Sequence, residues 1–473
     1  MNLIIFPHQL YNPKFIDLKN YKNIYIIEEP RYFTDFLFHK LKLAYHRASM
    51  KKYYDTIKSD NKVKYIEFSK VTDTMYRDFT EIYIYDPYDK KLIDKLNKLL
   101  KVNIISNIQF LINPHEITKQ NKYRHDAFYK FMRIKYNILV ENNKPVGGRW
   151  SFDTENRNKL PIDIKINENI KKINNLWTKE AIEYVNKNFS DNYGSLDYFI
   201  YPIDRKTSLK WLNEFLKKKL NNFGSYQDAV SNKYNFIYHS ILSPMMNIGL
   251  LRDIDVVNIS YKYYLKHKIN IASYEGFIRQ IIGWRNYMYT MYKLEGEKMY
   301  ESNNLDHNNK LLNNKWWLSF DIEPIDYLID KIKKYAYAHH IERLMFLGNF
   351  FLINQIDPKQ VYQIFMEWTI DAYDWVMVGN IFSMSQYASN IMTKRPYFSS
   401  SNYILKMSNF KKDEWCNIWD ACYYSFINKH KNILSKNYAT SMQVKNYNKK
   451  TEKEKTLINE ISNKYKKTIC KNI

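Results

Sequence analysis

The sequence predicts an N-terminal α/β domain with a parallel sheet, followed by a larger all-helical domain. In the first third of the chain, short β-branched and aromatic runs alternate with helical patterns, which is typical of a parallel sheet covered by helices. From about residue 176 onward, nearly every segment has the apolar spacing of an amphipathic helix. The length of 473 residues also favours at least two domains.

The α/β domain is expected at residues 1–125. Its strands are predicted at residues 3–8, 23–29, 63–69, 81–86 and 107–112, and its clearest helices at residues 36–55 and 90–101. No G-x-G-x-x-G follows the first strand, so the fingerprint of dinucleotide binding is absent. Residues 126–175 are expected to form an interdomain linker, because residues 141–161 within them hold two prolines, a Gly-Gly pair and mixed charges without helical periodicity.

The helical domain is expected at residues 176–444, with clear amphipathic patterns at residues 208–223 and 277–294. Residues 445–473 are rich in lysine and are expected to form a basic tail, either a solvated charged helix or a partly disordered extension. Three cysteines, no run of about 18 apolar residues and no signal-peptide pattern favour a reducing, intracellular location away from membranes. Nothing demands an oligomer, so a monomer is expected.

The net charge of +24 favours a polyanion as partner, because lysine and arginine displace condensed counterions from phosphates. The chain is also crowded with Lys, Asn, Ile and Tyr, the residues of A/T-rich codons, so genome composition accounts for part of this charge. Such a genome is typical of a large virus or an endosymbiont. The charge therefore supports nucleic-acid binding without deciding it.

Two adjacent histidines stand in YAYAHHIERLMFLGNF (335–350), a stretch with the apolar spacing of one helix. His339 and His340 would lie about 100° apart around that helix, so they cannot share one direction. An isolated pair of this kind is more often two satisfied histidines at the edge of a core. The rest of the chain has to decide their role.

A second motif, HSILSPMMNIGLL (239–251), offers groups suited to a diphosphate. Ser240 and Ser243 present hydroxyls beside backbone N–H groups ahead of Pro244, at the start of a helix whose dipole favours anions. A serine in this position is usually just a helix cap, so the motif alone is weak.

Two more motifs carry aromatic and charged residues. Trp284 and Arg285 could stack on a base and hold a phosphate, or pack as a core tryptophan with a surface arginine. Asp371 and Asp374 are three residues apart and would share one helix face, with Arg343 as a plausible partner. The chain has no H-E-x-x-H, no clustered Cys/His set and no triad, so no metal site and no ordinary hydrolytic chemistry is predicted.

These stretches, in this order, resemble the cryptochrome/photolyase superfamily. The matching segments are FPHQL (6–10), residues 28–50, residues 144–161, residues 335–350, DAYDWV (371–376) and residues 387–408. Within the superfamily they are similar to the bacterial photolyase-related branch that usually carries an iron–sulfur cluster. The resemblance covers most of the chain and is weak after about residue 440.

The resemblance implies a Rossmann-like antenna domain and a helical domain that holds FAD. It implies light-driven repair of UV-damaged DNA, in which reduced flavin splits a pyrimidine photoproduct flipped out of the duplex. The (6-4) photoproduct is favoured because the histidine pair is retained and can supply a proton. A cyclobutane-dimer photolyase, which needs no histidine acid, and a cryptochrome-like light sensor without repair are the alternatives.

The resemblance also implies site residues. The lesion-facing proton donor is His339 or His340. The positions that match the flavin pocket are Phe223, Gly224, Tyr226, His239, Ser240, Leu242, Ser243, Met246, Asn247, Arg343, Asn349, Asp371, Asp374, Met377, Asn380 and Met384. Those that match the surface facing DNA and lesion are Trp284, Arg285, Tyr287 and Tyr397. Those that match a lumazine-type antenna site are Glu29, Tyr32, His39, Lys40 and Lys42, with a solvated helix face as the alternative.

Three departures from the branch affect its chemistry. A [4Fe–4S] cluster needs four thiolates, and Cys416, Cys422 and Cys470 cannot supply them, so no cluster is expected. Met377 stands where a carboxylate is expected near the flavin. Ile364 replaces an expected aromatic residue, which leaves Trp368, Trp375 and nearby tyrosines as candidates for flavin photoreduction.

Overall fold

The N-terminal domain contains a five-stranded, fully parallel sheet in the order β3-β2-β1-β4-β5. The computed structural model describes residues 1–117, 124–168, 170–312 and 317–471. The strands are β1 (Asn2–Ile5), β2 (Asn23–Ile27), β3 (Val63–Ile66), β4 (Glu81–Tyr85) and β5 (Lys101–Ile105). This order is doubly wound, with its switch point between β1 and β4. The predicted fold class, a parallel α/β domain with a larger helical domain, is confirmed.

The central strands are buried on both faces, which explains why their apolar runs are nearly continuous. Leu3, Ile4 and Ile5 of β1 are all buried. The helices of this domain are α1 (Lys40–Ile57), α2 (Asp73–Arg77) and α3 (Lys90–Asn97). They cover the sheet, and the second domain packs against the first.

The fifth predicted strand is wrong. Residues 107–112 form a loop, and β5 lies at Lys101–Ile105, where the predicted helix 90–101 would end. Because β5 is an edge strand and is mostly half-exposed, it lacks a dense apolar pattern. The apolar residues of the loop serve the second domain, since the Phe110 ring stacks on Tyr289 with ring centroids 4.0 Å apart.

The rest of the chain is mainly helical. Its helices are α4 (His125–Lys135), α5 (Leu176–Asn188), α6 (Arg205–Lys218), α7 (Leu220–Phe223), α8 (Ser243–Asn247), α9 (Asp253–Lys266), α10 (Ile271–Ile278), α11 (Asn286–Tyr300), α12 (Glu323–Tyr335), α13 (Asn349–Ile353), α14 (Pro358–Trp368), α15 (Asp374–Val378), α16 (Ser401–Met407), α17 (Glu414–Lys429), α18 (Lys431–Leu434), α19 (Tyr438–Asn448) and α20 (Glu452–Ile469). Wider π-helical turns span Arg279–Arg285, Glu342–Gly348 and Gly379–Ser385. Two short antiparallel pairs join β6 (Val140–Glu141) to β7 (Lys144–Pro145) and β8 (Lys310–Leu311) to β9 (Cys470–Lys471).

The expectation of one helix over residues 335–350 is also wrong. Helix α12 ends at Tyr335, and Ala336 adopts a left-handed conformation with φ of 50°. The next helical residue is His340. His339 therefore lies just before a helix and His340 at its first position, which gives the two imidazoles different surroundings.

The predicted basic tail is a packed helix. In α20, the Tyr465 hydroxyl donates to the Phe320 carbonyl over 2.7 Å, and Ile469 is buried. The following strand β9 pairs with β8. The segment is therefore the charged helix of the two expected alternatives, anchored by a narrow apolar stripe in its C-terminal half, and the partly disordered extension is not observed.

The two domains share a buried polar interface at the start of α1. The His39 backbone N–H donates to the Glu367 carbonyl over 2.8 Å, and the Lys42 ammonium donates to the carbonyls of Met366 and Ala372 at 3.1 and 2.8 Å. Gly194, at φ of 91°, lies so close to His39 that an added Cβ would overlap the imidazole ring. Among the described residues, no helix has the length and apolar character needed to cross a bilayer.

Candidate active site

A cavity of about 610 Å³ lies within the helical domain and contains both members of the histidine pair. Most of the residues predicted for a flavin pocket line it. These are Phe223, His239, Ser240, Leu242, Ser243, Met246, Asn247, Arg343, Asp371, Met377, Asn380 and Met384. Three residues predicted to face DNA, Trp284, Arg285 and Tyr397, line it as well. Folding thus brings together segments that are up to about 170 residues apart in the chain.

Five other predicted residues do not line the cavity: Asp374, described below, and Gly224, Tyr226, Asn349 and Tyr287, which pack elsewhere in the fold. Gly224 lies against Ser273, whose Cα would be 2.5 Å from an added Cβ. Tyr226 stacks on Tyr238 in a separate small cluster. The Asn349 amide donates to Ser399, and Tyr287 is buried against the core. Their predicted contacts with cofactor or DNA are therefore not supported by this geometry.

Asp371 and Asp374 point to different places. Helix α15 begins at Asp374, so Asp371 precedes it and the two carboxylates do not share a helix face, contrary to the prediction. The Asp374 carboxylate accepts from the Arg31 guanidinium over 2.6 Å and from the Tyr362 hydroxyl, away from the cavity. Asp371 lines the cavity and pairs with the Arg343 guanidinium at 2.9 and 3.1 Å.

The Arg343–Asp371 pair organises one end of the cavity. The Ser243 hydroxyl donates to the Asp371 carboxylate over 2.6 Å, and the Asn247 amide donates to the Asp371 backbone carbonyl over 2.7 Å. Pro244 occupies the first turn of α8, where a missing N–H costs nothing. The Ser243 hydroxyl is thus held by a carboxylate, so its predicted contact with a diphosphate would require this bond to be shared.

Three histidines meet at the other end, where one ring nitrogen from each of His239, His339 and His340 lies within 4.8 Å of the others. The rings of His239 and His339 are stacked, with centroids 4.1 Å apart and planes 13° from parallel. His339 is 2% exposed, and neither of its ring nitrogens has a hydrogen-bond partner. Burial lowers the pKa of His239 to about 3 and lowers the pKa of His339 well below its ordinary value, so both rings are neutral near pH 7.

His340 is the exposed member of the pair. Its side chain is 42% exposed, and its Nε2 lies 3.2 Å from a carboxylate oxygen of Asp228. This contact joins two residues that are 112 positions apart in sequence. The arrangement combines an imidazole that can exchange protons with solvent and a carboxylate that fixes its orientation.

The histidine end rests on a buried ion pair. The Lys331 ammonium contacts both oxygens of the Glu342 carboxylate at 2.7 Å, and both side chains are about 1% exposed. Glu342 also accepts the backbone N–H of His339 over 2.8 Å. Because this carboxylate holds the residue just before the helix, it sets the position of the His339 ring in the cavity.

Trp284 and Arg285 form a rigid part of the wall. Trp284 stacks on His125 with centroids 3.6 Å apart. The Arg285 guanidinium pairs with the buried Asp253 at 2.7 Å and lies 4.8 Å from the centre of the Trp375 ring. The guanidinium is therefore committed to the protein on one side, which favours a role in shaping the wall over capturing phosphate.

Sequence reasoning missed several residues at the cavity and its mouth. Asp228 ends the FGSYQD motif (223–228), and Arg157 lies in the matching stretch 144–161, so both were within reach of the pattern. Arg395 stands on the exposed loop before Tyr397. No sequence pattern indicates a role for His125, because its stacking partner, Trp284, is about 160 residues away. The exposed Arg157 and Arg395 flank the mouth, where Arg157 forms an ion pair with Asp153.

Known proteins are similar to this chain in amino-acid sequence. A family model described as deoxyribodipyrimidine photo-lyase-related protein matches residues 3–201. A (6-4) photolyase of Agrobacterium fabrum is 34% identical over 355 residues, which cover 72% of this chain and 70% of the relative. The chain belongs to the photolyase-related family. This confirms the resemblance found in the sequence.

Solved structures show the photolyase fold. The structure is similar to a cryptochrome of Synechocystis with a TM-score of 0.57 and 13% identity, covering 93% of this chain and 89% of that one. It is also similar to an archaeal photolyase from Sulfolobus tokodaii, solved with two FAD molecules, with a TM-score of 0.51 and 13% identity, covering 98% and 100% of the chains. Since repair proteins and a cryptochrome share this fold, the fold alone does not separate repair from sensing.

In this photolyase-related chain, the residues expected at an antenna site do not form one. The Glu29 carboxylate is buried and accepts from Tyr76 and, over 2.9 Å, from Lys95. The Tyr32 hydroxyl donates to Asp89 over 3.1 Å. The Glu29 carboxylate and the Tyr32 hydroxyl are thus already bonded to other protein groups, and a chromophore would need these same polar groups.

The other three expected antenna residues are also engaged elsewhere. The His39 Nδ1 caps α1 by accepting from a backbone N–H, while its Nε2 lies 3.0 Å from the Ile332 carbonyl. Lys42 bonds two carbonyls of the helical domain. Lys40 lines a separate cavity of about 540 Å³ that none of the other four reaches. The arrangement does not fit a lumazine-type chromophore held by these five residues.

The three cysteines lie together in the C-terminal part of the fold. Cys416 and Cys422 are on α17 and Cys470 is in β9, and all three are buried and free. Burial raises the pKa of Cys422 to about 11 and that of Cys470 to about 12, so both remain thiols near pH 7. That no iron–sulfur cluster is bound remains a prediction from the number of cysteines.

Proposed function

We propose that the protein is a light-driven DNA photolyase that uses reduced FAD to repair (6-4) pyrimidine photoproducts. The observation that carries the proposal is the pairing of His340 with Asp228 at an arginine-flanked cavity, beside the buried imidazole of His339, whose ring nitrogens make no hydrogen bond. The name of the Agrobacterium relative, a (6-4) photolyase, supports the same lesion.

The residues of the cavity fit FAD. Its volume of about 610 Å³ falls within the range of about 300–1,000 Å³ typical of pockets that bury most of a small-molecule ligand. Apolar walls from Leu242, Met246 and Met377 would hold the flavin ring, and the Arg343–Asp371 pair would provide polar contacts. When bound, the reduced flavin supplies the electron that splits the photoproduct under light.

The chain's own residues position the lesion and manage its protons. Arg157 and Arg395 at the mouth attract phosphates, and a damaged base pair costs less to unstack than an intact one. The His340 Nε2 lies 3.2 Å from the Asp228 carboxylate at the cavity, where the carboxylate would orient the imidazole toward a flipped base. Neutral His339, packed on His239, keeps water from the buried end and orients its neighbour. We assign the proton donor to His340 and a positioning role to His339.

The two alternatives receive less support. A cyclobutane-dimer photolyase would have no need of the His340–Asp228 pair. A light sensor would have no need of an open, arginine-flanked mouth, although the cryptochrome fold shows that the architecture permits it. The mouth and the histidine pair together favour repair of the (6-4) lesion.

The test uses two defined oligonucleotides, one with a (6-4) photoproduct and one with a cyclobutane dimer. Each is mixed with flavin-reduced protein in blue light and in darkness. We expect light-dependent repair of the (6-4) lesion, reduced about 10²- to 10⁴-fold in His340→Asn, the range of general acid catalysis.

The matched control is His267→Asn. His267 is exposed and distant in sequence from His340, so this variant should repair the lesion at the wild-type rate. Repair of the cyclobutane dimer alone, with His340→Asn fully active, would assign the protein to the second function. Flavin-loaded protein that repairs neither lesion would contradict repair altogether.

A further inference from the structure

We infer that the C-terminal segment around α19 is a second DNA-contact surface, which holds the duplex beside the lesion. The inference rests on the proposed repair function for its biological setting, but the surface itself can be tested separately.

The segment is strongly and uniformly basic. Residues 421–451 contain six lysines and no aspartate or glutamate. Lys436, Lys445 and Lys449 are exposed, and none of them makes an ion pair among the residues that the structure describes. These three lysines without an ion pair produce a local positive potential that a phosphate backbone would neutralise, whereas Lys450 at the edge of the segment lies near Asp420 and Glu454.

One stripe of α19 carries both charge and exposed apolar surface. Tyr438, Met442, Lys445 and Lys449 follow the spacing i, i+4, i+7 and i+11 and are all exposed. The opposite stripe, Thr440, Val444 and Tyr447, is buried. Helix α19 is thus anchored by one side and presents the other to solvent. We call the exposed stripe, together with Lys436, the α19 face.

The α19 face displays an unusually exposed aromatic ring. Tyr438 is 98% exposed and Met442 is 60% exposed. Exposed aromatic rings between lysines are the combination that single strands and opened duplexes use, since a ring stacks on a base while the ammonium groups hold phosphates.

A specific hydrogen bond fixes the α19 face beside the cavity mouth. The Asn437 side chain caps α19 by accepting from the Ala439 N–H over 3.0 Å, and its amide donates to the Lys394 carbonyl over 2.5 Å. The Tyr387 hydroxyl donates to the same carbonyl over 3.1 Å. The residues that follow, Arg395 and Tyr397, line the cavity. A duplex whose damaged base enters the cavity would therefore pass close to this surface.

Charge decides the class of partner. A basic protein surface would be repelled, whereas nucleic acid offers regularly spaced negative charge and stacked bases. An anionic membrane is the other surface that lysines with an exposed tyrosine could bind. The position of α19 beside the mouth favours DNA, and the membrane becomes an outcome of the test.

The experiment measures binding of an undamaged, fluorescently labelled 25-base-pair duplex to the full chain at several salt concentrations. The variant is the triple change Lys436→Gln, Lys445→Gln and Lys449→Gln. We expect affinity at least about tenfold weaker and a log–log salt slope flatter by about 0.9 for each phosphate that a removed lysine neutralised. Tyr438→Ala should weaken binding of a labelled 25-base single strand about fivefold or more with an unchanged salt slope, because the ring stacks only on an unpaired base.

A matched triple variant provides the control. Lys62→Gln, Lys64→Gln and Lys70→Gln removes three exposed lysines from the edge of the sheet at β3 and should leave affinity and slope at the wild-type values. Thermal unfolding of both triple variants checks that neither is misfolded.

Two results would overturn the inference. One is wild-type affinity and slope in the α19 variant. The other is unchanged DNA binding together with abolished sedimentation on vesicles containing phosphatidylserine, which would assign the surface to membranes. Failure of the repair function is a separate result, because it would appear as wild-type protein that binds the duplex with α19-dependent affinity but repairs no lesion.

Discussion

The cavity of the helical domain and the expected antenna region of the α/β domain both carry residues that the resemblance assigns to a ligand, but those residues bond differently. In the cavity, both ring nitrogens of His339 are buried without a hydrogen bond, the nearest carboxylate oxygen being that of Glu342 at 3.5 Å from Nε2, and His340 is exposed. In the antenna region, Glu29, Tyr32 and His39 bond to protein groups. Similarity to a family's ligand-binding residue therefore identifies only a position in the fold. A buried polar atom without a hydrogen bond shows, in addition, that the group at that position is able to bind a ligand.

The largest expected effect comes from breaking the ion pair in the cavity. Arg343→Met leaves the Asp371 carboxylate without its main partner, since the pair is 16% and 7% exposed. Removal of one member of a buried pair typically costs about 3–5 kcal/mol. We expect unfolding at much lower denaturant concentration and loss of flavin, measured by urea titration and by the ratio of absorbance at 450 to 280 nm.

Arg343→Lys provides the matched control for that change. It keeps the positive charge, so it should recover most of the stability and part of the flavin. Full flavin occupancy in Arg343→Met would contradict the importance of this pair for the cavity and would weaken the contrast with the antenna region.

A smaller effect is expected in the antenna region. Tyr76→Phe removes one hydroxyl that donates to the buried Glu29 carboxylate, and loss of a hydrogen bond to a charged group costs about 1.5–3 kcal/mol. Because this bond is structural, stability should fall while flavin content and repair rate at saturating light stay unchanged. Loss of a second visible chromophore from the purified protein would instead show that the region binds a ligand.

The last effect, which is negligible near neutral pH and grows as the pH falls, concerns the titration of His39. Burial lowers the pKa of His39 to about 4, whereas an unfolded histidine titrates near about 6.5. Between these values the unfolded chain binds one more proton than the folded chain, so stability should fall as pH decreases from 6.5 to 4, by about 1.4 kcal/mol per pH unit for this group.

His39→Asn keeps a helix-capping side chain without the titration. Its free energy of unfolding should depend less steeply on pH between 4.5 and 6.5, by about one bound proton, even though its stability at pH 7 is lower. Denaturant titrations at four pH values measure both. An identical slope in variant and wild type would show that His39 is not buried in its neutral form.

Part of the fold is predictable from the sequence because the signal is local. Strands β1, β2 and β4 are buried inside the sheet, so their apolar runs are dense and unbroken. The edge strand β5 contacts little of the core, and the apolar loop that follows it has the stronger strand pattern. The sequence of α20 resembles a solvated tail because abundant lysine conceals the buried Tyr465 and Ile469.

The sequence predicts which segments form the candidate site, but it does not predict where the individual side chains point. The motifs around Ser243, Asp371 and the histidine pair do meet in one cavity. The direction of Asp374 could not be predicted, because it depends on a helix that starts three residues later than the pattern implies. The Asp228–His340 contact could not be predicted either, since two residues 112 positions apart show no relation in one sequence.

The guanidinium of Arg31 forms ion pairs with residues of both domains. It pairs with Asp89, at the end of the sheet, and with Asp374, at the start of α15. Were the chain cut between the domains, one carboxylate and the Tyr362 hydroxyl bonded to it would face water on a newly exposed surface. Calorimetric heating should therefore give one endotherm for the whole polypeptide, and neither half expressed alone should remain monodisperse.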